Sequence, residues 1–110
     1  LGPAAIAVIL FEILLNGMAM FNHANLKLPP RVDAALRRLV VTPDMHRIHH
    51  SVHRSEHDTN YGFSLSLWDQ LFGTYRPQPA VAHEDMQVGL EMPEGRPTQL
   101  AWSLLLPFRR

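Results

Sequence analysis

The chain contains no cysteine. Disulfides, iron–sulfur clusters and thiolate zinc sites are therefore excluded within it. Charge is lacking as well: ten Lys and Arg against ten Asp and Glu leave a formal net charge of zero, so the overall balance gives no support for nucleic-acid binding. Between Leu1 and Phe21 the only ionisable side chain is Glu12. That stretch has neither a basic leader nor a small-x-small cleavage pattern, so it does not read as a signal peptide. The His-Glu-x-x-His motif of zinc proteases is missing too, which removes the commonest hydrolytic reading.

Histidine is plentiful. Five of the seven lie between His46 and His57, and His46, His49 and His50 are spaced i, i+3, i+4. On a helix those offsets share one face. Three imidazoles on one face pack poorly in a core and suit a metal, for which neutral imidazole is the commonest nitrogen ligand. Thr42-Pro43-Asp44 precedes them. A threonine N-cap, a proline at the first helical position and an acid in the first turn place the triplet near the start of a short, well-capped helix. His53 is i+7 from His46, and His57 lies beyond the expected helix end. Either could orient a ligand or carry a proton, and more simply both read as solvated loop histidines. Asp58 and Asn60 are better candidates to orient ligated imidazoles. His83 falls in a polar loop and reads as unrelated to the site.

A chain of 110 residues amounts to one domain at most. It starts at Leu1 in an apolar run, as expected for a fragment of a longer protein. About 21 helical residues rise roughly 31 Å, enough to cross a hydrocarbon core, so residues 1–23 read as a transmembrane helix. Glu12, Asn16 and His23 fall within roughly 40° of one another on it. That polar stripe faces protein rather than lipid, either toward a metal or in ordinary interhelical hydrogen bonding. Lys27, Arg31, Arg37 and Arg38 follow the span, opposed only by Asp33, so the positive-inside rule puts the histidine end in the cytoplasm.

Residues 24–76 read as a helical cap. Pro29-Pro30 breaks the first helix. Val32, Ala35, Leu36, Leu39 and Val40 then form an amphipathic pattern, with Arg31, Arg37 and Arg38 on the other side and Asp33 placed to pair with Arg37. Ser55 to Gly62 is turn-like. Leu65, Trp68, Leu71 and Phe72 suggest a short helix stopped by Gly73. Residues 77–110 read as a loop-rich tail; its apolar Leu100 to Phe108 is too short to span, and Trp102 and Arg109-Arg110 suit an interface.

Phe21-Asn22-His23-Ala24-Asn25-Leu26, Thr42 to Ser51, Asp58-Thr59-Asn60-Tyr61-Gly62 and Leu67-Trp68-Asp69-Gln70-Leu71-Phe72-Gly73-Thr74-Tyr75 together resemble the fatty acid hydroxylase (sterol desaturase) superfamily in order and spacing. The resemblance covers roughly residues 21–75. It implies an all-α integral membrane bundle with a cytoplasmic histidine-bearing cap and a non-haem di-iron oxygenase. Such an enzyme hydroxylates or desaturates a lipid with O₂ and electrons from a partner protein. His46, His49 and His50 match the last histidine box and carry over as metal ligands. His23 matches the histidine that ends a preceding transmembrane helix, and Trp68, Asp69, Phe72 and Gly73 match a structural signature. Iron is the implied cofactor, two per full-length chain, with zinc as a possible substitute. The implied partners are membrane lipid, the lipid substrate, an electron donor and the missing N-terminal part.

The chain departs from the family pattern in having no histidine box before His23. It is expected to be the C-terminal part of a longer enzyme, and to be inactive alone. Two other readings stay open: a non-catalytic membrane module retaining a histidine site, and a metal-dependent hydrolase. The substrate is open among sterol, fatty acyl chain, carotenoid and alkyl glycerol.

Overall fold

A computed structural model describes residues 2–89 and 99–108. It is helical, and among the described residues there is no strand, only two isolated antiparallel bridges, Val40 to Leu65 and Ser51 to Val88. Helix α1 (Ala5–Asn22) is long and apolar enough to cross a membrane, with mean hydropathy 1.8. Its 18 residues rise about 27 Å. The side chains of Ile6, Phe11, Ile13, Leu14 and Met20 all lie exposed, as suits a helix whose surroundings are apolar. Glu12 and Asn16 satisfy each other one turn apart, the Asn16 amide donating to the Glu12 carboxylate at 3.1 Å. Among the described residues the polar pair is thus bonded within its own helix.

Helix α2 (Pro30–Leu36) begins with proline at its first turn. Asp33 pairs with Arg37 at 2.6 Å, as the i, i+4 spacing suggests. Arg37 is not on a solvated face, however: it is buried, and its guanidinium donates to the Pro77 carbonyl at 2.6 Å. The buried charge is neutralised by Asp33, and the arginine ties the end of α2 to the chain beyond the cap. Helix α3 (Pro43–His49) carries the histidine triplet, with Pro43 at its start and Asp44 in its first turn. Thr42 has the extended backbone of an N-cap, but its side chain makes no capping bond and its Oγ1 is buried without a partner. The triplet also sits later than expected. With only seven residues in α3, His49 is the last and His50 is the C-cap.

The remaining elements are short: α4 (Arg54–His57), α5 (Leu67–Phe72) and α6 (Leu100–Leu105), the last followed by a 3-10 turn at Leu106–Phe108. Helix α4 falls within the stretch expected to be turns. Gly73 ends α5 with φ of 71°, the left-handed conformation glycine adopts at helix stops. Residues 77–89 form loop, while 90–98 and Arg109-Arg110 lie outside the described residues. Trp102 sits in α6, a helix of six residues, too short to span.

Fully buried apolar side chains are few among the described residues, Val41, Pro43, Met45 and Ile48, all within α3 or just before it. The buried polar set is larger and includes Asn22, Ser51, Glu56, Asn60, Ser66 and Asp69. Each of these makes a specific bond. Asn60, at φ 51°, donates from its amide to the Met45 and Arg76 carbonyls (3.1 and 3.0 Å) and accepts from the Arg76 N–H at 2.8 Å. Asp69 accepts from the Tyr61 N–H, the Gly62 N–H and the Thr74 hydroxyl at 2.7, 2.9 and 2.7 Å. Glu56 accepts from Ser51 Oγ and the Ala80 N–H, both at 2.6 Å, and pairs with Arg76 at 3.3 Å. Asn22, at the end of α1, donates to the Phe63 carbonyl at 2.6 Å. Buried polar groups bonded in this way fix one arrangement where apolar packing is thin, although Asn22 Oδ1 finds no partner among the described residues.

Two outcomes follow for stability. Asp69→Asn places an amide against two N–H donors and should cost about 2 kcal/mol. At Gly62 an added Cβ would lie 2.6 Å from the Leu65 carbonyl and 2.7 Å from Asp69 Oδ2, so Gly62→Ala should cost about 1–3 kcal/mol. Detergent-phase unfolding titrations read both; unchanged midpoints would mean that this turn does not hold the cap.

Glu56 supplies a third. Burial pushes its carboxyl up, but the bonds from Ser51 and Ala80 and the Arg76 charge outweigh burial and hold it below the ordinary value of 4.5. A carboxyl lowered in the folded state contributes stability that is fully present above its unfolded pKa and is lost as pH falls through its folded pKa. Stability of the native protein should therefore decline on acidification below about pH 4.5, and Glu56→Gln should be less stable at neutral pH and flatter across that range. Parallel acid limbs for the two proteins would sink this assignment.

Candidate metal centre

The end of α1 and the end of α3 meet at the histidines. His23 is the C-cap of α1; His46 and His50 are one turn apart on α3. His46 Nε2 lies 3.3 Å from His23 Nε2 and 3.0 Å from His50 Nε2. One ligand atom from each of the three histidines lies within 4.8 Å of the others. The His46 ring meets both neighbours edge-on, at centroid distances of 4.7 Å. A cation held by imidazole at about 2.0–2.1 Å has neighbouring ligand nitrogens roughly 2.9–3.4 Å apart for angles between square and tetrahedral. The two short separations at His46 fall in that range.

Protonation supports the same reading. His23 Nδ1 lies 2.8 Å from the Ala19 carbonyl and His49 Nδ1 3.0 Å from the Thr59 carbonyl. A carbonyl only accepts, so each Nδ1 donates a proton there, which leaves Nε2 as the ring nitrogen available to a ligand. Burial, and then repulsion from His50, His23 and His49, pushes His46 down to about 4. Burial and the neighbouring His49 and His23 lower His50 as well. Both are therefore neutral at physiological pH. Neutral His46 has at most one proton on Nε2 and cannot bond to both flanking nitrogens; a cation accepts from all three. His46 Nδ1 is buried with no partner among the described residues.

His49 stands beside this group rather than in it. Its ring centroid is 5.6 Å from His46 and 5.5 Å from His50, and its edge meets Tyr61 at 5.7 Å. It faces a second cavity of about 260 Å³, with His50, Ser51, His57 and Gly89 in its walls. The cavity beside His23, His46 and His50 measures about 400 Å³ and has Val88 and Gly89 in its walls. His50 and Gly89 belong to both cavities.

The other residues singled out in sequence are placed differently. The orienting bonds to imidazole come from backbone carbonyls, Ala19 and Thr59, and not from the side chains of Asp58, Asn60 or His53. Asp58 is half exposed and pairs with Arg54 at 3.2 Å and His57 at 3.5 Å. Asn60 supports α3 through Met45. His53 is exposed and caps α4 by its backbone, its N–H donating to Ser51 Oγ at 3.2 Å. Two further segments reach the cavities. His57 lines the second cavity although it lies past the end of α3, because α4 brings it back. The loop at 82–89 is a wall of the site: the Gly89 N–H donates to the His50 carbonyl at 2.9 Å and the Val52 N–H to the Gln87 carbonyl at 3.0 Å. His83 on this loop lies in a cavity with Asp44 and Arg47, residues of the histidine helix. Nothing in the loop's composition signals the pairing, since both bonds are main-chain.

A family model described as fatty acid hydroxylase matches residues 1–74. The ornithine lipid hydroxylase OlsE of Rhizobium tropici is 42% identical over 93 residues, which cover 84% of this chain and 26% of that protein. The human alkylglycerol monooxygenase is 36% identical over 58 residues, 53% of this chain and 12% of that protein, and its Xenopus tropicalis counterpart is 40% identical over 43 residues, 39% and 10%. No solved structure matches. The chain thus spans about a quarter of the ornithine lipid hydroxylase and less of the others. With the family model covering two thirds of its length, histidines and aromatic turn included, the chain belongs to the fatty acid hydroxylase family.

Proposed function

We propose that this chain forms the histidine-bearing portion of a longer, membrane-bound, iron-dependent oxygenase that hydroxylates or desaturates a lipid. The observation that carries the reading is the convergence of His23, His46 and His50 through Nε2 at the foot of an apolar helix of membrane-spanning length. The relatives' names, a hydroxylase of ornithine lipids and a monooxygenase of alkylglycerols, suggest a polar lipid as substrate. The basic residues Lys27, Arg31 and Arg38 after α1 favour a cytoplasmic site.

His23, His46 and His50 would hold one iron, and His49, with His57 across the second cavity, would contribute to another. Iron, when bound there, supplies the one-electron chemistry needed to activate O₂ with electrons from an external donor. The protein's part is positional. The Ala19 and Thr59 carbonyls fix two tautomers so that Nε2 faces the site. Burial keeps His46 and His50 neutral and able to ligate. Val88 and Gly89 line the cavity beside the three histidines. The open, apolar flank of α1 faces the layer from which a lipid would come.

Metal analysis of the whole protein in detergent tests this reading. About two irons per chain are expected, with His46→Ala or His23→Ala removing about one and His49→Ala the other. Iron content unchanged in all three variants would remove the site. Product formation should require both O₂ and a reductant; lipid turnover in their absence, with zinc bound, would replace the oxygenase with a hydrolase.

A further inference from the structure

A third cavity, of about 320 Å³, lies against the histidine site and has a different character. Its walls are Asn25 and Lys27 from the exit of α1, Asp44 and Arg47 from α3, and His83 and Glu84 from the 82–89 loop. It shares Asn25 and Arg47 with the cavity at His23, His46 and His50, so the two are contiguous. Arg47 follows His46 in the chain, and about 100° of helical rotation turns it off the ligand face. Asp44 holds it there at 2.5 Å. The cation is thereby kept in the third cavity.

Two positive and two negative side chains line this space. They pair as Arg47 with Asp44 and Lys27 with Glu84. The second pair is largely solvent-exposed on both sides, 76% and 64%. Exposed pairs of this kind contribute little to stability, so Lys27 and Glu84 can separate around a guest at small cost. A lone anion seated here would meet two carboxylates as well as two cations, and a lone cation the reverse. An uncharged group would take water from four charges and return nothing. A guest bearing both charges answers all four.

We propose that this cavity binds the zwitterionic headgroup of a lipid whose reacting carbon reaches the adjoining histidine centre. The proposal rests on the lipid-oxygenase reading and adds the class of substrate. Asn25 and Arg47 form the shared wall past which the lipid runs from one cavity to the other. The loop bonds from Gly89 to His50 and from Val52 to Gln87 hold the third wall in place.

The test is binding to the whole, iron-loaded protein in detergent, with three short-chain probes: dihexanoyl phosphatidylethanolamine, dihexanoyl phosphatidic acid and dihexanoylglycerol. The zwitterionic lipid should bind about tenfold tighter than either of the others, or more. In the double variant Lys27→Met, Glu84→Gln that preference should shrink to about twofold or less, with iron content unchanged. Equal binding of the neutral or the anionic lipid by the native protein would overturn the proposal without any variant. So would a preference that survives in the double variant, or free glycerophosphoethanolamine binding as tightly as the lipid, which would make the site one for a soluble metabolite. Iron content and O₂-dependent turnover, measured on the same preparation, report separately on the oxygenase reading.

Discussion

The cap depends on three buried side chains that substitute for secondary structure. Asn60, Asp69 and Glu56 each gather backbone groups that no helix or sheet would otherwise satisfy. Asn60 joins the middle of α3 to Arg76; Asp69 closes the Tyr61-Gly62 turn on α5; Glu56 draws Ser51, Arg76 and Ala80 together. With so few fully buried apolar side chains among the described residues, Val41, Pro43, Met45 and Ile48, these bonds decide where α3 lies. The histidines inherit their positions from it. The polar network is thus a condition of the histidine cluster.

Function follows from where two helix ends meet. Helix α1 ends at His23 and α3 at His50, and helix ends are where backbone direction changes without breaking a regular ladder. Placing ligands there lets one imidazole come from the apolar helix and two from the cap, so the site forms only when cap and span dock. Asn22, one residue before His23, secures that docking through the Phe63 carbonyl.

Much of this was legible in the sequence. The apolar run from Ala5, the break at Pro29-Pro30, the proline start of α3 and the glycine stop of α5 are local signals with local causes, and all four were readable. The i, i+4 pair His46 and His50 needs only helical geometry. What escaped were contacts between distant segments. Arg37 looks like a solvated cation in its own helix, and only the return of residue 77 buries it. Thr42 has the sequence of a capping residue, yet its hydroxyl does not cap. His57 and the 82–89 loop join the site through short α4 and main-chain bonds, which carry no side-chain signature. Asp58 and Asn60 read as orienting groups because carboxylate and amide side chains advertise themselves, whereas the carbonyl of Thr59, which bonds His49, does not.

That last substitution has a consequence for how the site can change. The carbonyls of Ala19 and Thr59 are present whatever side chains stand at those positions, so replacement of either residue leaves the acceptor in place. Tautomer control is thereby insulated from point substitution and exposed to changes in chain length. One residue inserted near the end of α1 would swing His23 about 100° around the helix and away from His46. Variation in such a site should come as tolerated substitutions around fixed spacings, with insertions and deletions confined to the loops that do not set the register of the two helix ends.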